Sequence, residues 1–191
     1  MRRVVVTEFV SLDGVVEDPG GAEGYEHGGW AFQFERGEEG DKFKFDELME
    51  ADAMLLGRRT YEGFAKAWPS MTDEVGFADK MNGMPKYVVS STLEDADWNN
   101  STILRGDLED EVSKLKQADG GNILVAGSAQ LAQGLAEHDL VDVYRLMLYP
   151  VVLGHGKRLF ADGPDKSAFR LVDARPVGND GVLTLTYERT R

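Results

Sequence analysis

The sequence predicts a three-layer α/β domain with a mainly parallel β-sheet and an antiparallel hairpin at its C-terminal end. Two observations support this fold class. Strand-like apolar runs alternate with helical patterns along most of the chain, which is typical of a parallel sheet covered by helices on both faces. The last two strand patterns have no helix between them, which indicates an antiparallel edge. We expect a single domain over residues 1–191, a length that suits one domain.

The first half of the chain begins with a buried strand, which is expected over residues 3–10. A loop rich in Gly, Asp and Glu follows over residues 11–29. Loops of this length inside compact domains are usually functional. The other elements predicted for this half are a helix over 32–50, a strand over 53–56, a helix over 60–67 and a strand over 87–90.

The second half of the chain repeats the alternation of strands and helices. Asp107 is a suitable N-cap residue, and apolar residues recur behind it at helical spacing. A buried strand over 122–126 leads directly into a second helix. The remaining predicted strands cover 141–149, 168–174 and 181–189.

Composition and charge exclude several classes of partner. The chain carries 34 acidic and 21 basic residues, a formal net charge of −13. Nucleic acids and anionic membranes are bound through clustered Lys and Arg, so neither is expected as a partner. No apolar run approaches the roughly 20 residues that span a bilayer, and the N-terminus lacks a signal-peptide cleavage site. We therefore expect a cytoplasmic protein.

The cysteine and histidine content argues against a metal centre. The chain has no cysteine, so disulfides, thiolate ligands and cysteine nucleophiles are excluded. Its three histidines, His27, His138 and His155, are far apart in the sequence, and no two have the i, i+4 spacing. The expectation is that no metal is bound.

Three strand-to-helix turns have the composition of anion sites. In the first, Gly57-Arg58-Arg59-Thr60, two arginines stand at a predicted helix N-terminus. The positive end of the helix dipole disfavours each cation there by roughly 0.3–1 kcal/mol, and a bound anion would reverse that effect. The alternative is an arginine pair that nearby carboxylates neutralise in water.

The other two turns offer hydroxyl and backbone groups. Ser90-Ser91-Thr92 can donate to a phosphate or ribose, or can instead cap their own turn. In the third turn, a glycine and small residues between a strand and a helix allow the backbone to approach a pyrophosphate, although a plain tight turn is equally compatible. A complete G-x-G-x-x-G fingerprint is absent. The third turn comprises Gly127, Ser128, Ala129, Gln130 and Leu131.

Together the three turns favour a nucleotide at the carboxyl ends of the strands, where open α/β sheets bind their ligands. Arg58, Arg59, Ser90 and Ser91 suit a 2′-phosphate. This favours NADPH over NADH as the cofactor.

These motifs resemble those of the dihydrofolate reductase superfamily over nearly the whole chain. Residues 57–61 (GRRTY) are similar to that family's G-R-x-T-aromatic element, residues 90–91 fall at its 2′-phosphate position, and residues 127–129 fall at its glycine pair. Residues 11–14 (SLDG) and 141–156 resemble more specifically the reductase domain of riboflavin biosynthesis and its stand-alone bacterial relatives. The resemblance implies a dihydrofolate-reductase-like fold and an NADPH cofactor that Val16 also contacts. By analogy, it also implies a homodimer.

The resemblance also implies candidate catalytic residues. Counting back from Arg58 without gaps, the family's acidic position falls on Asp41 and its substrate-contacting aromatic on Phe45. The alternative for Asp41 is a first-turn carboxylate that complements the helix dipole. Asp13, expected near the nicotinamide, is a second candidate acid, and its alternative is an Asp-Gly turn. The candidates for stacking against the substrate are Trp30, Phe34, Phe45 and Tyr61, and the alternative for each is a position in the core.

The resulting prediction is an NADPH-dependent reductase that transfers hydride to a pterin-like or related heterocyclic substrate. One alternative is the 5-amino-6-(5-phosphoribosylamino)uracil reductase of riboflavin biosynthesis. Ala126 argues against it, because those reductases commonly carry a substrate-contacting glutamate at this position. The other alternative is a non-catalytic module that binds NADP or another ligand.

Overall fold

A computed structural model describes residues 1–162 and 166–190, and every strand in these ranges joins one sheet. The strands are β1 (Val4–Ser11), β2 (Ala51–Gly57), β3 (Lys86–Val89), β4 (Ser101–Leu104), β5 (Asn122–Ala126), β6 (Val143–Tyr149), β7 (Phe169–Val177) and β8 (Val182–Arg189). The α-helices are α1 (Gly37–Met49), α2 (Arg58–Ala67), α3 (Phe77–Gly83), α4 (Leu108–Gln117) and α5 (Ala129–Glu137).

The sheet has the strand order β4-β3-β2-β5-β1-β6-β8-β7. The six strands from β1 to β6 pair in parallel, and β8 and β7 continue the sheet in antiparallel pairing. The predicted fold class, a mainly parallel sheet with an antiparallel C-terminal hairpin, is confirmed. One consequence matters for function: the carboxyl ends of all six parallel strands lie at the same edge of the sheet.

Helices cover both faces of the sheet, which makes three layers. Leu48 of α1 and Met81 of α3 pack on one face together with Val5 of β1. Val112 of α4 and Leu135 of α5 pack on the other face, together with the β1 residues whose side chains lie on the opposite side of the strand from Val5. This division follows from the alternation of side chains along a strand. None of the helices in the described ranges has the length and apolar composition needed to cross a bilayer.

The prediction of one helix over residues 32–50 is wrong. A 3-10 helix spans Trp30–Gln33, the chain is then extended at Phe34, and α1 begins at Gly37. The break is caused by the β7–β8 turn, where the backbone of Gly178 lies 3.2 Å from the position that a Gly37 Cβ would occupy. Gly37 also has φ = 62°, a conformation that glycine adopts without strain.

Two elements, α3 and β4, were not predicted from the sequence. Helix α3 has seven residues, and the Asp73 carboxylate accepts hydrogen bonds from backbone N–H groups at its N-terminus. Strand β4 is a four-residue edge strand in which two polar residues precede two apolar ones and none is fully buried, so it lacks the alternation that identifies a strand. The other predicted elements are confirmed, with ends shifted by at most three residues.

Candidate active site

Two of the predicted anion-binding turns are in direct contact. Because β2 and β5 are neighbours, the backbone N–H of Gly57 reaches the Ser128 Oγ and donates a hydrogen bond to it (3.0 Å). Gly127 and Ser128 both have φ = 61°, so the chain turns sharply from β5 into α5. The φ of Gly127 favours glycine, and a Cβ there would lie 3.1 Å from the Thr60 Cγ2, a tight contact. The two turns thus form one continuous surface.

The remaining predicted cofactor residues lie around this surface. Ala129 and Gln130 open α5, and Leu131 packs into the core directly behind them. Val16 is buried in the loop after β1, where its N–H donates to the carbonyl of Lys157 (2.8 Å). Because α5 begins directly after β5, the backbone amides at the N-terminus of α5 lie at the carboxyl edge of the sheet.

The turn at Ser90-Ser91-Thr92 is joined to the turn at Gly57 by Arg58. Its Nη1 donates to the Thr92 Oγ1 (2.7 Å), while its Nε pairs with Glu62 one helical turn later (2.8 Å). The Ser90 hydroxyl accepts hydrogen bonds from the N–H groups of Thr92 (3.2 Å) and Leu93 (3.0 Å). Ser90 therefore caps its own turn, while Ser91 and Thr92 are exposed beside Arg58.

Sequence reasoning missed a third arginine in this region. Arg105 directly follows β4, and its guanidinium donates to the carbonyl of Leu93 (2.6 Å). Arg58, Arg59 and Arg105 are called the arginine cluster below. Among the described residues only Arg58 of the three has an ion pair, with Glu62. The sequence signal was an arginine at the carboxyl end of a strand. It could not be recognised because β4 itself was not predicted.

Asp13 is fixed by hydrogen bonds after β1. Its carboxylate accepts from the Ser11 hydroxyl (2.7 Å) and from the backbone N–H groups of Leu153 (3.1 Å) and Gly154 (2.8 Å). Burial opposes ionisation, but these hydrogen bonds outweigh it and lower the pKa of Asp13 to about 2. Asp13 is thus ionised at neutral pH and joins two loops. Its role as a proton source stays a prediction that this environment does not favour.

Asp41 and Phe45 line the same cleft of about 640 Å³, which also contains Trp68 and Phe77. The Asp41 Oδ1 accepts a hydrogen bond from the Arg36 Nε (2.7 Å), and the Asp41 side chain is 67% exposed. Helix α1 begins beside the β7–β8 turn. This turn also lies next to Pro150, the residue directly after β6. The cleft therefore lies at the same edge as the anion-binding turns.

A buried polar group that sequence reasoning missed lies between α1 and β1. The Lys44 Nζ donates to the Thr7 Oγ1 (2.7 Å) and pairs with Glu47, and the Thr7 hydroxyl is 2.8 Å from a Glu47 oxygen. Thr7 and Glu47 are buried, and Lys44 also lines the 640 Å³ cleft. The sequence signal was a threonine within the apolar run of β1 opposite a Lys-x-x-Glu pair.

Glu8, the neighbour of Thr7, is a second buried carboxyl group of β1. Burial raises the pKa of Glu8 well above the usual range. The positive charge of Lys44 lowers this pKa, whereas the negative charges of Glu47 and Glu23 raise it further. One of its oxygens has no hydrogen-bond partner in the described structure. A neutral carboxyl group is therefore favoured at this position.

The predicted stacking residues fall in different places. Trp30 is buried, donates its indole N–H to the carbonyl of Glu17 (2.9 Å) and contacts Tyr149 edge-on. Tyr61 is buried against Trp98, and its hydroxyl accepts a hydrogen bond from the backbone N–H of Trp98 (3.0 Å). Phe34 is half-buried, and Phe45 is the one that faces the cleft. The positions of Trp30 and Tyr61 match the alternative of a core role, and stacking by them stays a prediction.

Comparisons with known proteins agree with this architecture. The RibD C-terminal domain family matches residues 2–183. The chain is 30% identical over 189 residues to Uncharacterized protein YyaP of Bacillus subtilis (strain 168), covering 97% of this chain and 94% of the relative. A putative riboflavin biosynthesis protein from Shewanella sp. PV-4 superposes with a TM-score of 0.77 at 22% identity, over 99% of both chains.

A second solved structure bears on the fold alone. Dihydrofolate reductase from Enterococcus faecalis, complexed with NADP(H) and RAB-propyl, superposes with a TM-score of 0.60 at 15% identity. The match covers 99% of this chain and 97% of that chain. The predicted dihydrofolate-reductase-like fold is confirmed.

Proposed function

This chain belongs to the RibD C-terminal domain family, and on that premise we propose that it is an NADPH-dependent reductase that transfers hydride to a pterin-like or related heterocyclic substrate. Membership in the family supports a reductase-type function. The choice of cofactor and the class of substrate rest on the geometry of the site.

The arginine cluster carries the proposal for the cofactor. On a chain with a net charge of −13, Arg58 contacts the exposed Thr92 hydroxyl (2.7 Å) and Arg105 donates to the carbonyls of Ser91 and Leu93. Arg59 is exposed directly after Arg58 at the start of α2. Arginine binds phosphate through charge-assisted and often bidentate hydrogen bonds. A ligand that carries a phosphate on its ribose gains these contacts, whereas one without that phosphate does not. This difference supports NADPH over NADH.

The residues around the cluster fit the rest of such a cofactor. Gly127 offers a backbone surface that a Cβ would fill, and Ser128 to Leu131 present the N-terminus of α5, where a pyrophosphate is favourably bound. Val16, which is buried in the loop after β1, is the apolar residue proposed to contact the cofactor. When bound, NADPH would supply the hydride. The protein would supply orientation and a water-poor surface.

The cleft along α1 carries the proposal for the substrate. Its volume of about 640 Å³ lies within the range of roughly 300–1,000 Å³ that is usual for small-molecule sites. Phe45 offers a ring face for stacking against a planar heterocycle, and Asp41 offers a carboxylate for its N–H groups. Arg36 orients this carboxylate through the 2.7 Å hydrogen bond. The Lys44 ammonium adds a hydrogen-bond donor to the same cleft.

The aminouracil reductase of riboflavin biosynthesis is the second candidate, because the chain belongs to the RibD C-terminal domain family and its motifs resemble the reductase domain of riboflavin biosynthesis. Ala126 ends β5 beside Thr7 and offers a methyl group at this position. A substrate that needs a carboxylate there would lose that contact. Turnover of 5-amino-6-(5-phosphoribosylamino)uracil faster than of any pterin would favour the second candidate.

We also propose a homodimer through the terminal strands. Strand β7 is a free edge of the sheet, and Leu171 and Val172 on it are about half exposed. An unpaired edge strand with exposed apolar side chains is a template for pairing with another chain. Sedimentation of the purified protein tests this association.

The cofactor proposal is tested first by fluorescence titration of the protein with NADPH and NADH at the same ionic strength. We expect micromolar affinity for NADPH and binding of NADH that is at least about tenfold weaker, since one charge-assisted hydrogen bond contributes roughly 1.5–3 kcal/mol. Equal affinity for both cofactors would contradict a 2′-phosphate site. Binding of neither would remove the reductase proposal.

Asp41→Asn separates an enzyme from a binding module. The substitution keeps the size and the hydrogen-bonding edge of the side chain but removes the carboxylate that Arg36 orients. We expect turnover to fall by roughly 10²–10⁴-fold while the affinity for NADPH is unchanged, as measured by steady-state rates and by titration. Asp46→Asn, on the exposed side of the same helix and paired with Lys42, is the matched control. Normal turnover of the Asp41→Asn variant would exclude the proposed role.

A further inference from the structure

A group of potential metal ligands lies between the loop after β1 and the turn after β6. Glu26 and His27 belong to the loop that follows β1, and His155 lies in the turn that follows β6. The Glu26 Oε1 is 2.8 Å from the His155 Nε2 and 3.2 Å from the His27 Nε2. One ligand atom from each residue lies within 4.8 Å of the other two, and all three side chains are exposed. The sequence distance between His27 and His155 was therefore a poor guide to their distance in space.

We propose that Glu26, His27 and His155 bind one divalent transition-metal ion, for which Zn²⁺ is the best match. Two imidazole nitrogens and one carboxylate oxygen form a ligand set that suits Zn²⁺, whereas Mg²⁺ and Ca²⁺ prefer oxygen ligands throughout. Metal–ligand bonds of about 2.0–2.1 Å in tetrahedral geometry place the ligand atoms roughly 3.3 Å apart. The two measured separations are within about half an ångström of this value.

Tyr25 holds the two imidazoles in place. Its ring meets His27 edge-on at 5.5 Å and His155 at 5.7 Å, and its hydroxyl donates to the His155 carbonyl (2.7 Å). The centroids of the two imidazoles are 5.3 Å apart. The ligands thus need little rearrangement to converge on an ion, and groups that support the ligands from outside commonly increase metal affinity.

The turn that carries His155 is also fixed. Gly154 and Gly156 flank it with φ values of 84° and 123°, and a Cβ on Gly156 would lie 2.8 Å from the Val15 Cγ1. Conformation and space therefore both favour glycine beside His155. Three protein ligands leave at least one coordination position for water, so the ion would be exchangeable from solvent.

An ion at this position would join two segments of the chain. The loop that carries Glu26 and His27 also carries Asp13 and Val16, and Asp13 already bonds to the turn at Leu153 and Gly154. A metal would add a further link, beside the existing hydrogen bonds, between the same loop and turn. The expected consequence is greater stability of this loop, and it does not depend on the proposed reductase function.

The test uses protein without a histidine tag, stripped with EDTA and titrated with ZnCl₂ by calorimetry, and with CoCl₂ by visible absorption. We expect one ion per chain, tetrahedral-type Co²⁺ absorption, and weaker binding as the pH is lowered, because the imidazoles must be unprotonated to bind. With free Zn²⁺ at about one hundred times Kd, the Tm should rise by roughly 5–11 °C.

The variants His27→Ala and His155→Ala should each lower Zn²⁺ affinity at least about tenfold and abolish the Co²⁺ absorption. His138→Ala is the matched control, because His138 is a similarly exposed histidine with one carboxylate, Glu109, at 3.4 Å. This variant should bind as the wild type does. The proposal is overturned if the wild type binds no ion, or if all three histidine variants bind equally well. Glu26 would then act only as a hydrogen-bond acceptor for the two imidazoles.

Discussion

Replacing Arg58 and Arg59 together by alanine is expected to lower the affinity for NADPH by about 100-fold and to leave the affinity for NADH nearly unchanged. Two charge-assisted contacts with a phosphate contribute roughly 3 kcal/mol or more, which corresponds to at least a hundredfold change in Kd. Because NADH lacks the 2′-phosphate, it does not make these contacts. Fluorescence titration of both cofactors measures the change.

Two controls make this result specific. Arg170→Ala combined with Arg175→Ala removes the same charge from β7, where both side chains are more than 70% exposed, and should bind both cofactors normally. Thr92→Val removes the hydroxyl that Arg58 contacts (2.7 Å) and should have a smaller effect of the same sign. If the arginine variant lost NADH and NADPH affinity equally, the arginines would not be recognising a 2′-phosphate.

The second large effect is on stability, and it concerns Lys86 in β3. This side chain is completely buried, and its Nζ donates to the carbonyls of Asn82 (2.7 Å) and Asn99 (2.9 Å). The Nζ also lies 4.1 Å from the centroid of the Trp98 ring. Lys86 thus joins the end of α3 to the segment before β4, and it fixes the strand that leads to Ser90.

Lys86→Ala should lower the free energy of unfolding by about 3–5 kcal/mol, because it leaves a cavity and two carbonyls without their donor. Lys86→Met fills the space without restoring the hydrogen bonds, and it should lose roughly half as much. The exposed Lys66 on α2 provides the control, since Lys66→Ala should stay within about 0.5 kcal/mol of the wild type. Urea denaturation measures all three variants, and a Lys86→Ala loss below about 1 kcal/mol would contradict this account.

The same residue gives the pH dependence a definite sign. Burial lowers the pKa of Lys86 from 10.5 to about 8. Between these values the unfolded chain binds more protons than the folded chain, so the contribution of Lys86 to stability increases as the pH rises from about 8 to 10.5. The free-energy difference between the wild type and Lys86→Met should grow across this window. A difference that shrinks there would show that the folded protein retains the charged form.

The regular elements and the anion-binding turns could be predicted because their signals are local. The apolar run of β5 and the glycine that follows it identify a strand and a sharp turn from neighbouring residues alone. The two arginines after Gly57 likewise identify a helix N-terminus with excess positive charge. Asp41 and Phe45 were placed by counting along the chain, and they do line one cleft. Their chemical roles remain proposals.

Predictions failed where contacts between distant segments decide the outcome. The helix over 32–50 is broken because Gly178, far along the chain, packs against Gly37. Strand β4 forms because β3 supplies a pairing edge, although the residues of β4 do not alternate between apolar and polar. Arg105 was missed together with β4, because its position depends on that strand.

By itself, the sequence determined the α/β class, the order of most elements, and the three turns that converge at the carboxyl edge of the sheet. The periods of side chains in strands and helices, and the conformational freedom of glycine, are properties of short segments. Only the tertiary structure decided that Lys44, Glu47 and Thr7 meet below the cleft, and that His27 and His155 share one carboxylate. These contacts depend on strand register and loop packing, which are set by interactions over the whole chain.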